Sequence, residues 1–348
     1  MIKWLEIDGA ESKVVISSRI RLARNFRGYN FTNKLKPDEA ERIIKEVENA
    51  IIHGTSAIRN DFKSLRMAEL DKLEKGILLE KHLISKDIAR SDLSAALIKD
   101  DETVSIMVNE EDHLRIQALF PGFRLDDAWD IADKIDDLLE ESIGYAFDER
   151  LGYLTACPTN VGTGMRASIM VHLPALVELG YIDGVLKAAN QIGLAVRGIY
   201  GEGSQAKGSI FQISNQLTLG RKEEEILGNI KGLSKQLISK ELEARSFLYK
   251  NQGMKFEDKI YRAIGILSSA RLVDSNEAMN LLSNVKLGIE MGLIDNMKSR
   301  DIDKLFIEIQ PSHQQMMSGQ SKVQERDIKR AEYLRKEFSK KSNENKED

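Results

Sequence analysis

Five arginines and two glutamates stand where loops meet short β-rich runs: Arg19, Arg21, Arg115, Arg166 and Arg197, with Glu111 and Glu202. A guanidinium is a planar fork that stays charged and grips phosphate oxygens two at a time. Several that converge suit a triphosphate and the charge that spreads over a phosphoryl group in transfer. Two carboxylates beside them would orient a cationic acceptor and take its proton. The chain has no G-x-x-x-x-G-K-[ST] run, no H-R-D and no D-F-G, so this chemistry would not use a Walker loop or the common protein-kinase constellation.

The elements that must position these groups are organised around residues 151–173, LGYLTACPTNVGTGMRASIMVHL, which hold the single cysteine, Cys157. Gly162 and Gly164 permit a close backbone approach or a positive φ, and Arg166 opens an apolar run that Pro174 stops, so a tight loop feeds a strand. Gly162, Gly164 and Ala167 also fit G-x-G-x-x-A, but that fingerprint needs a helix after the glycines. Residues 14–21 read as a strand with Arg19 and Arg21 on one face, where an anion would relieve their repulsion; a solvated edge strand is the alternative.

Residues 37–53 form an amphipathic helix behind Pro37. Residues 103–109 form a strand that ends in Glu110, Glu111, Asp112 and His113, acids that need donors or a cationic ligand unless the turn is simply solvated. Residues 124–142 have helical periodicity, with Asp126, Asp127, Asp130, Asp133, Asp136 and Asp137 as the wet face rather than a metal site. A helix over 175–190 precedes a strand over 194–200 that carries Arg197, then a glycine turn that presents Glu202 or merely closes a hairpin, then a strand over 209–214. From Arg221 the pattern is nearly all helical; Asp274 and Glu277 make a capping box, and a charged helix covers 323–340. His82, taken alone, is more often structural than functional.

Of the 348 residues, 42% are hydrophobic and 30% charged, which bounds the chain as globular, with length for two domains. The division expected is 1–250 for a catalytic domain with its core at about 14–244, 251–340 for a helical regulatory or dimerisation domain, and 341–348 for a disordered tail. No apolar run approaches a membrane span, the N-terminal residues lack a secretion-signal core, and a lone cysteine suits a reducing compartment, so a cytoplasmic location is expected. A net charge of −4 argues against nucleic-acid binding as the main activity.

At these residues the sequence resembles the phosphagen (guanidino) kinase family. Ser17-Ser18-Arg19-Ile20-Arg21 is similar to its first arginine motif, and Asn109-Glu110-Glu111-Asp112-His113, followed by Arg115, to its acidic motif. Cys157-Pro158-Thr159-Asn160 with Gly162 to Ser168 resembles its cysteine loop and nucleotide arginine, and Arg197-Gly198 to Glu202 with Ile213-Ser214-Asn215 its last segment. The first motif arrives without the helical N-terminal domain of the small-substrate members, and a helical C-terminal extension is present instead. That combination resembles the family's bacterial protein-arginine kinase branch, as does Arg326-Asp327-Ile328-Lys329-Arg330-Ala331, which matches a phosphoarginine-binding motif. Taken alone, the motif reads as part of a solvated charged helix.

The resemblance implies an α+β fold, an antiparallel β-sheet flanked by helices plus an all-helical C-terminal domain. It implies Glu111, Glu202, Asp112 and Cys157 as catalytic residues. It implies ATP contacts at Ser17, Ser18, Arg19, Ile20, Arg21, His82, Arg115, Arg166, Ala167, Ser168, Ile169, Met170, Arg197, Gly198, Ile199, Tyr200, Gly201 and Glu202. Mg²⁺ would be bound through the nucleotide phosphates, with no metal ligand set in the protein. The partners implied are arginine-bearing protein substrates such as a repressor and misfolded proteins, a small zinc-binding activator protein, a Clp ATPase and protease of the stress response, and further copies of the chain. Two other activities remain open: phosphorylation of a free small guanidine, and non-catalytic reading of phosphoarginine.

Overall fold

The computed structural model describes residues 2–7, 13–54, 58–198, 206–320 and 322–343. Eight strands form one antiparallel sheet: β1 (Val15–Arg24), β2 (Phe62–Arg66), β3 (Ala95–Lys99), β4 (Val104–Val108), β5 (Leu114–Pro121), β8 (Met165–His172), β9 (Leu194–Gly198) and β10 (Ile210–Asn215). Their order is β2-β3-β4-β5-β1-β8-β10-β9. Two short strands, β6 (Phe147–Asp148) and β7 (Gly152–Tyr153), make a separate hairpin. The strand expected near the start of the chain is therefore central rather than an edge, and it continues to Arg24.

Register decides which side chains meet. Arg21 lies between Gln117 of β5 and Arg166 of β8, and Arg19 between Leu119 and Ser168. Successive side chains on a strand point to opposite faces. Ile20, Leu22, Ile116, Ala118, Ala167 and Ile169 consequently enter one hydrophobic core, while the arginines occupy the other face. The core is closed by α1 (Pro37–Ile51) and α3 (Leu125–Glu140), joined by α6 (Glu223–Gln252), all of which contribute buried side chains. A second cluster, with Trp4, Met67, Leu83, Met107 and Leu119, covers part of the arginine face.

The acid row of α3 is not wholly wet. Asp136 is buried, and its Oδ2 accepts from Arg24 Nη2 at 2.6 Å and Nε at 3.0 Å. The Arg24 guanidinium lies 3.5 Å from the centroid of the Tyr153 ring and also donates to Thr163 O at 3.0 Å. Helical spacing put Asp136 among its neighbours, but a tertiary partner takes it inward. Loss of either charge alone would strand the other, at a cost of about 3–5 kcal/mol.

The helix expected over 175–190 is broken in two, α4 (Pro174–Glu178) and α5 (Ile182–Gln191), with Gly180 between them at φ 73°. The remaining helices are α2 (Lys72–Glu80), α7 (Met254–Ser269), α8 (Ser275–Glu290), α9 (Ser299–Glu308), α10 (Pro311–Ser318) and α11 (Val323–Asn343). The Asp274 side chain caps α8, accepting from Asn276 N and Glu277 N. The C-terminal helices dock on the sheet layer through polar contacts as well as a shared core. Gly208 N donates to Asn280 Oδ1 at 3.2 Å, His172 Nε2 lies 2.7 Å from Ser283 Oγ, and Glu80 accepts from Ser312 N and His313 N. Among the described residues no helix is long and apolar enough to cross a membrane.

Candidate active site

The acidic turn between β4 and β5 is built by side chains that its own sequence does not advertise. Asn109 adopts φ 59°, and its amide donates to Ala40 O and Leu93 O at 3.0 and 3.1 Å, which fixes the turn. Asp112 is fully buried, and its Oδ1 accepts from Asn25 Nδ2 and from Ala156 N, both at 2.7 Å. Burial pushes its carboxyl above the usual range against the pull of those two donors. Asp112 thus ties the turn to the cysteine loop, a positioning role.

Glu111 is exposed beside it and lines a cavity of about 210 Å³ with Arg21, Arg115, Cys157, Asn160 and Arg166. Its Oε2 accepts from Arg115 Nη2 at 3.1 Å and from Asn160 Nδ2 at 3.3 Å. The buried Glu110 holds Arg115 from the other side, through Nη1 at 2.5 Å, and is itself bound by Ser85 Oγ. Arg115 is therefore fixed between two carboxylates, and one of those carboxylates keeps an edge open to the cavity.

The loop ahead of β8 is pressed onto β1. A Cβ on Gly164 would come within 2.5 Å of Ala23 O, and one on Gly162 within 2.6 Å of Thr218 O, and both glycines have positive φ. Ala23 N donates to Gly164 O at 2.9 Å. Cys157, half-buried, places Sγ 3.1 Å from Thr159 Oγ1.

On the arginine face, Arg19 donates to Gln212 Oε1 at 2.7 Å, while Arg21 Nε and Arg166 Nε are buried with no partner among the described residues. Burial, then repulsion by Arg115 and Arg166, brings the Arg19 pKa down to about 10. Burial with repulsion by Arg19, Arg115 and Arg166 depresses Arg21 strongly; burial with Arg115 and Arg197 depresses Arg166. Cations held this close in a partly dry site are waiting for an anion. His82, with φ 63° and its carbonyl accepting from Gln117 Nε2, is pushed down to about 3 by burial and by Arg19, so it is neutral at physiological pH.

The structure brings Arg19, Arg21, Arg115, Arg166, Ser168 and Met170 onto one face, with Arg197 exposed at the end of β9 opposite Gln212. Ser17 also falls on this register. Ser18, Ile20, Ala167 and Ile169 have the other parity and lie in the opposite layer; Ser18 Oγ donates to Gly122 O and accepts from Arg124 N. Gly198 ends β9, and Ile199, Tyr200, Gly201 and Glu202 lie outside the described residues. Asn25 and Gln212 escaped notice in the sequence because each acts across the fold, and Glu110 and Asn160 were seen only as members of their motifs, without the contacts to Arg115 and Glu111. Only the alternation of β10, which sets Gln212 opposite Arg197, could have flagged one of the first pair.

In α11 the Arg326 to Ala331 segment is not a plain solvated face. Arg330 and Ala331 are buried, and Arg330 donates to Ile309 O at 2.7 Å and Val273 O at 3.0 Å and pairs with Asp327. Arg326 is half-buried, Ile328 exposed, and Lys329 paired with Glu332.

The description "ATP:guanido phosphotransferase, C-terminal catalytic domain" matches residues 42–244, and "Protein-arginine kinase McsB C-terminal domain" matches 253–348. The chain is 51% identical over 333 residues to a protein-arginine kinase of Caldanaerobacter subterraneus subsp. tengcongensis, covering 95% of this chain and 98% of that one. It is 48% identical over 334 residues to a protein-arginine kinase of Geobacillus stearothermophilus, covering 95% and 92%. Among solved structures, a lombricine kinase aligns with TM-score 0.59 and 24% identity over 68% of each chain, a likeness of fold.

Proposed function

The chain belongs to the protein-arginine kinases within the ATP:guanido phosphotransferases, and from that premise we propose how its residues move the phosphoryl group and what surrounds the reaction. It is an ATP-using enzyme whose acceptors are arginine residues of proteins. The obstacle is the acceptor: a guanidinium stays protonated throughout the physiological pH range and has no free lone pair in that form. Glu111, open to the cavity on one edge, receives a proton from the acceptor nitrogen as the N–P bond forms and the bond between the γ-phosphorus and the bridging oxygen of ADP breaks. Arg115 and Asn160 hold that carboxylate in place. Glu202 grips a second edge of the guanidinium in this reading.

Arg19, Arg21, Arg115, Arg166 and Arg197 clamp the triphosphate and take up charge as the γ-phosphoryl moves in line. The observation that carries the proposal is that Arg21 and Arg166 face each other across β1 and β8, each with a buried Nε that has no partner among the described residues, on the cavity that Glu111 lines. Neutral His82 would offer the nucleotide a ring without adding charge. Mg²⁺ would arrive on the nucleotide phosphates, which with water supply most of its oxygen ligands. Cys157 lines the same cavity, where it would lie against the acceptor.

Residues 1–250 form the catalytic unit and 251–340 a helical regulatory unit that self-associates. The biological setting is marking of a repressor and of misfolded proteins for a Clp ATPase and protease in a cytoplasmic stress response, with a small zinc-binding activator. Incubating the purified chain with ATP and an unfolded protein should yield acid-labile phosphate on arginine, mapped by mass spectrometry at neutral pH. Phosphate found only on added free arginine would refute the protein substrate.

Arg326 and Asp327 are proposed to bind a phosphoarginine, the arginine gripping phosphoryl oxygens and the aspartate the remaining N–H groups. Arg326→Ala is expected to leave basal kcat within about twofold and remove any activation by added phosphoarginine, read from initial rates. An unchanged activation curve would end this assignment.

A further inference from the structure

The cavity that holds Glu111 is bordered by a fixed apolar platform. Thr218 is buried, and its Oγ1 donates to Thr159 O at 2.9 Å and to Val161 O at 2.7 Å, both carbonyls of the loop that lines the cavity. Asn215 Nδ2 donates to Leu217 O at 3.2 Å and Met165 O at 3.0 Å, binding the same segment to the start of β8. The two leucines that flank Thr218 are nevertheless turned to solvent: Leu217 is 55% and Leu219 53% exposed. On the other flank of the loop, Tyr153 pairs with Gly162, and a Cβ on Gly152 would meet Gly162 O at 2.5 Å, so the β6–β7 hairpin is pressed onto it. That hairpin shows Phe147 at 50% exposure, stacked edge-on against Tyr153 with ring centroids 5.2 Å apart, and Leu151 at 46%.

Large apolar side chains turned to water from a braced backbone around one loop are a binding surface more often than an accident of packing. Backbone that is fixed in advance loses little entropy when something lies on it. The reaction itself says what must pass over this rim. An arginine whose guanidinium reaches Glu111 leaves its backbone at the mouth of the cavity. An extended chain advances ~3.3–3.6 Å per residue, so residues two positions either side lie ~7 Å from the target Cα.

Resting on the protein-arginine kinase reading, we infer that Leu217, Leu219, Phe147 and Leu151 dock the substrate polypeptide on either side of the target arginine and favour apolar neighbours. Apolar residues beside an arginine are exposed mainly in unfolded segments. The platform therefore makes local unfolding of the substrate a recognition signal, with no dedicated sequence motif.

The test uses the full chain and two peptides of equal net charge, one with leucine or phenylalanine two residues either side of a single arginine and one with serine there. Wild type is expected to show a KM about tenfold lower for the apolar peptide at similar kcat. Leu217→Ser with Leu219→Ser should raise only that KM, closing most of the gap, while kcat and the KM for ATP stay as in wild type. Phe147→Ser, on the separate hairpin, should do the same in part, which guards against a folding defect in the first variant. Preference unchanged in both variants, or equal losses on both peptides, overturns the inference. Unchanged preference with lost self-association in light scattering also overturns it and assigns the platform to a second copy. Wild type that phosphorylates neither peptide nor any unfolded protein removes the kinase reading itself, a result distinct from a kinase with no preference.

Discussion

Glu111→Gln is expected to lower kcat for arginine phosphorylation by about 10³-fold while leaving ATP affinity within about threefold. The amide keeps the shape and can still accept from Arg115 and Asn160, whose bonds to Oε2 set the side chain's direction. It cannot take the guanidinium proton, and it no longer offsets the acceptor's charge. Phosphate incorporation measures the first effect, and isothermal titration with ATP the second. Retention of more than a tenth of wild-type turnover would remove Glu111 from the proton-accepting role and shift it to Glu202. The neighbouring carboxylates predict a different failure: Glu110 holds Arg115 and Asp112 braces the cysteine loop, so their loss should disturb binding and folding together.

Arg21→Met should separate function from stability in opposite directions. Arg21 is half-buried, its buried Nε has no partner among the described residues, and it faces Arg19, Arg115 and Arg166; burial first and then those three cations hold its pKa well below the ordinary value. For a base whose folded pKa lies below its unfolded one, folding disfavours the charged form, so at neutral pH that charge costs stability. Removing it is expected to raise the apo melting temperature by ~2 °C or more, and removing a clamp donor to cut kcat/KM by about 10³-fold. Thermal shift should also show that added ATP stabilises wild type more than the variant, because wild type has one more partly buried cation whose repulsion the triphosphate relieves, beyond that of Arg19, Arg115 and Arg166. A variant that melts lower than wild type without ATP would show Arg21 to be a structural cation, and the anion clamp would need another centre. Sulfate should narrow the apo difference, since screening and anion occupancy act on the same repulsion.

How much of this was legible in the sequence depends on the range of each interaction. Arg19 and Arg21 share a face because strand alternation is local, so two residues apart sufficed. Gly162 and Gly164 were likewise readable as points of close backbone approach or positive φ, and both conditions hold at each. The order of the strands was not local: only the register set Arg166 opposite Arg21. Asp136 failed for the mirror reason, since its helical position was read correctly and its burial is decided by Arg24, 112 residues earlier. Gly180 split a helix that periodicity ran together, because an apolar stripe continues across a break that only backbone conformation reveals. Asn25 and Gln212 are polar residues of no distinguishing pattern until the fold carries them to Asp112 and Arg19, and Asn160, visible as part of the cysteine motif, shows its bond to Glu111 only in the fold.

Because β1 lies mid-sheet and Arg19 finds Gln212 across a span of 193 residues, the clamp is assembled almost entirely from distant parts of the chain. Loops that long must close before any of these contacts is rewarded, so the capacity to hold nucleotide emerges late, after the helices have formed. A nascent chain of this protein therefore carries Arg19 and Arg21 well before the strands that complete their face, β5, β8 and β10, have been made.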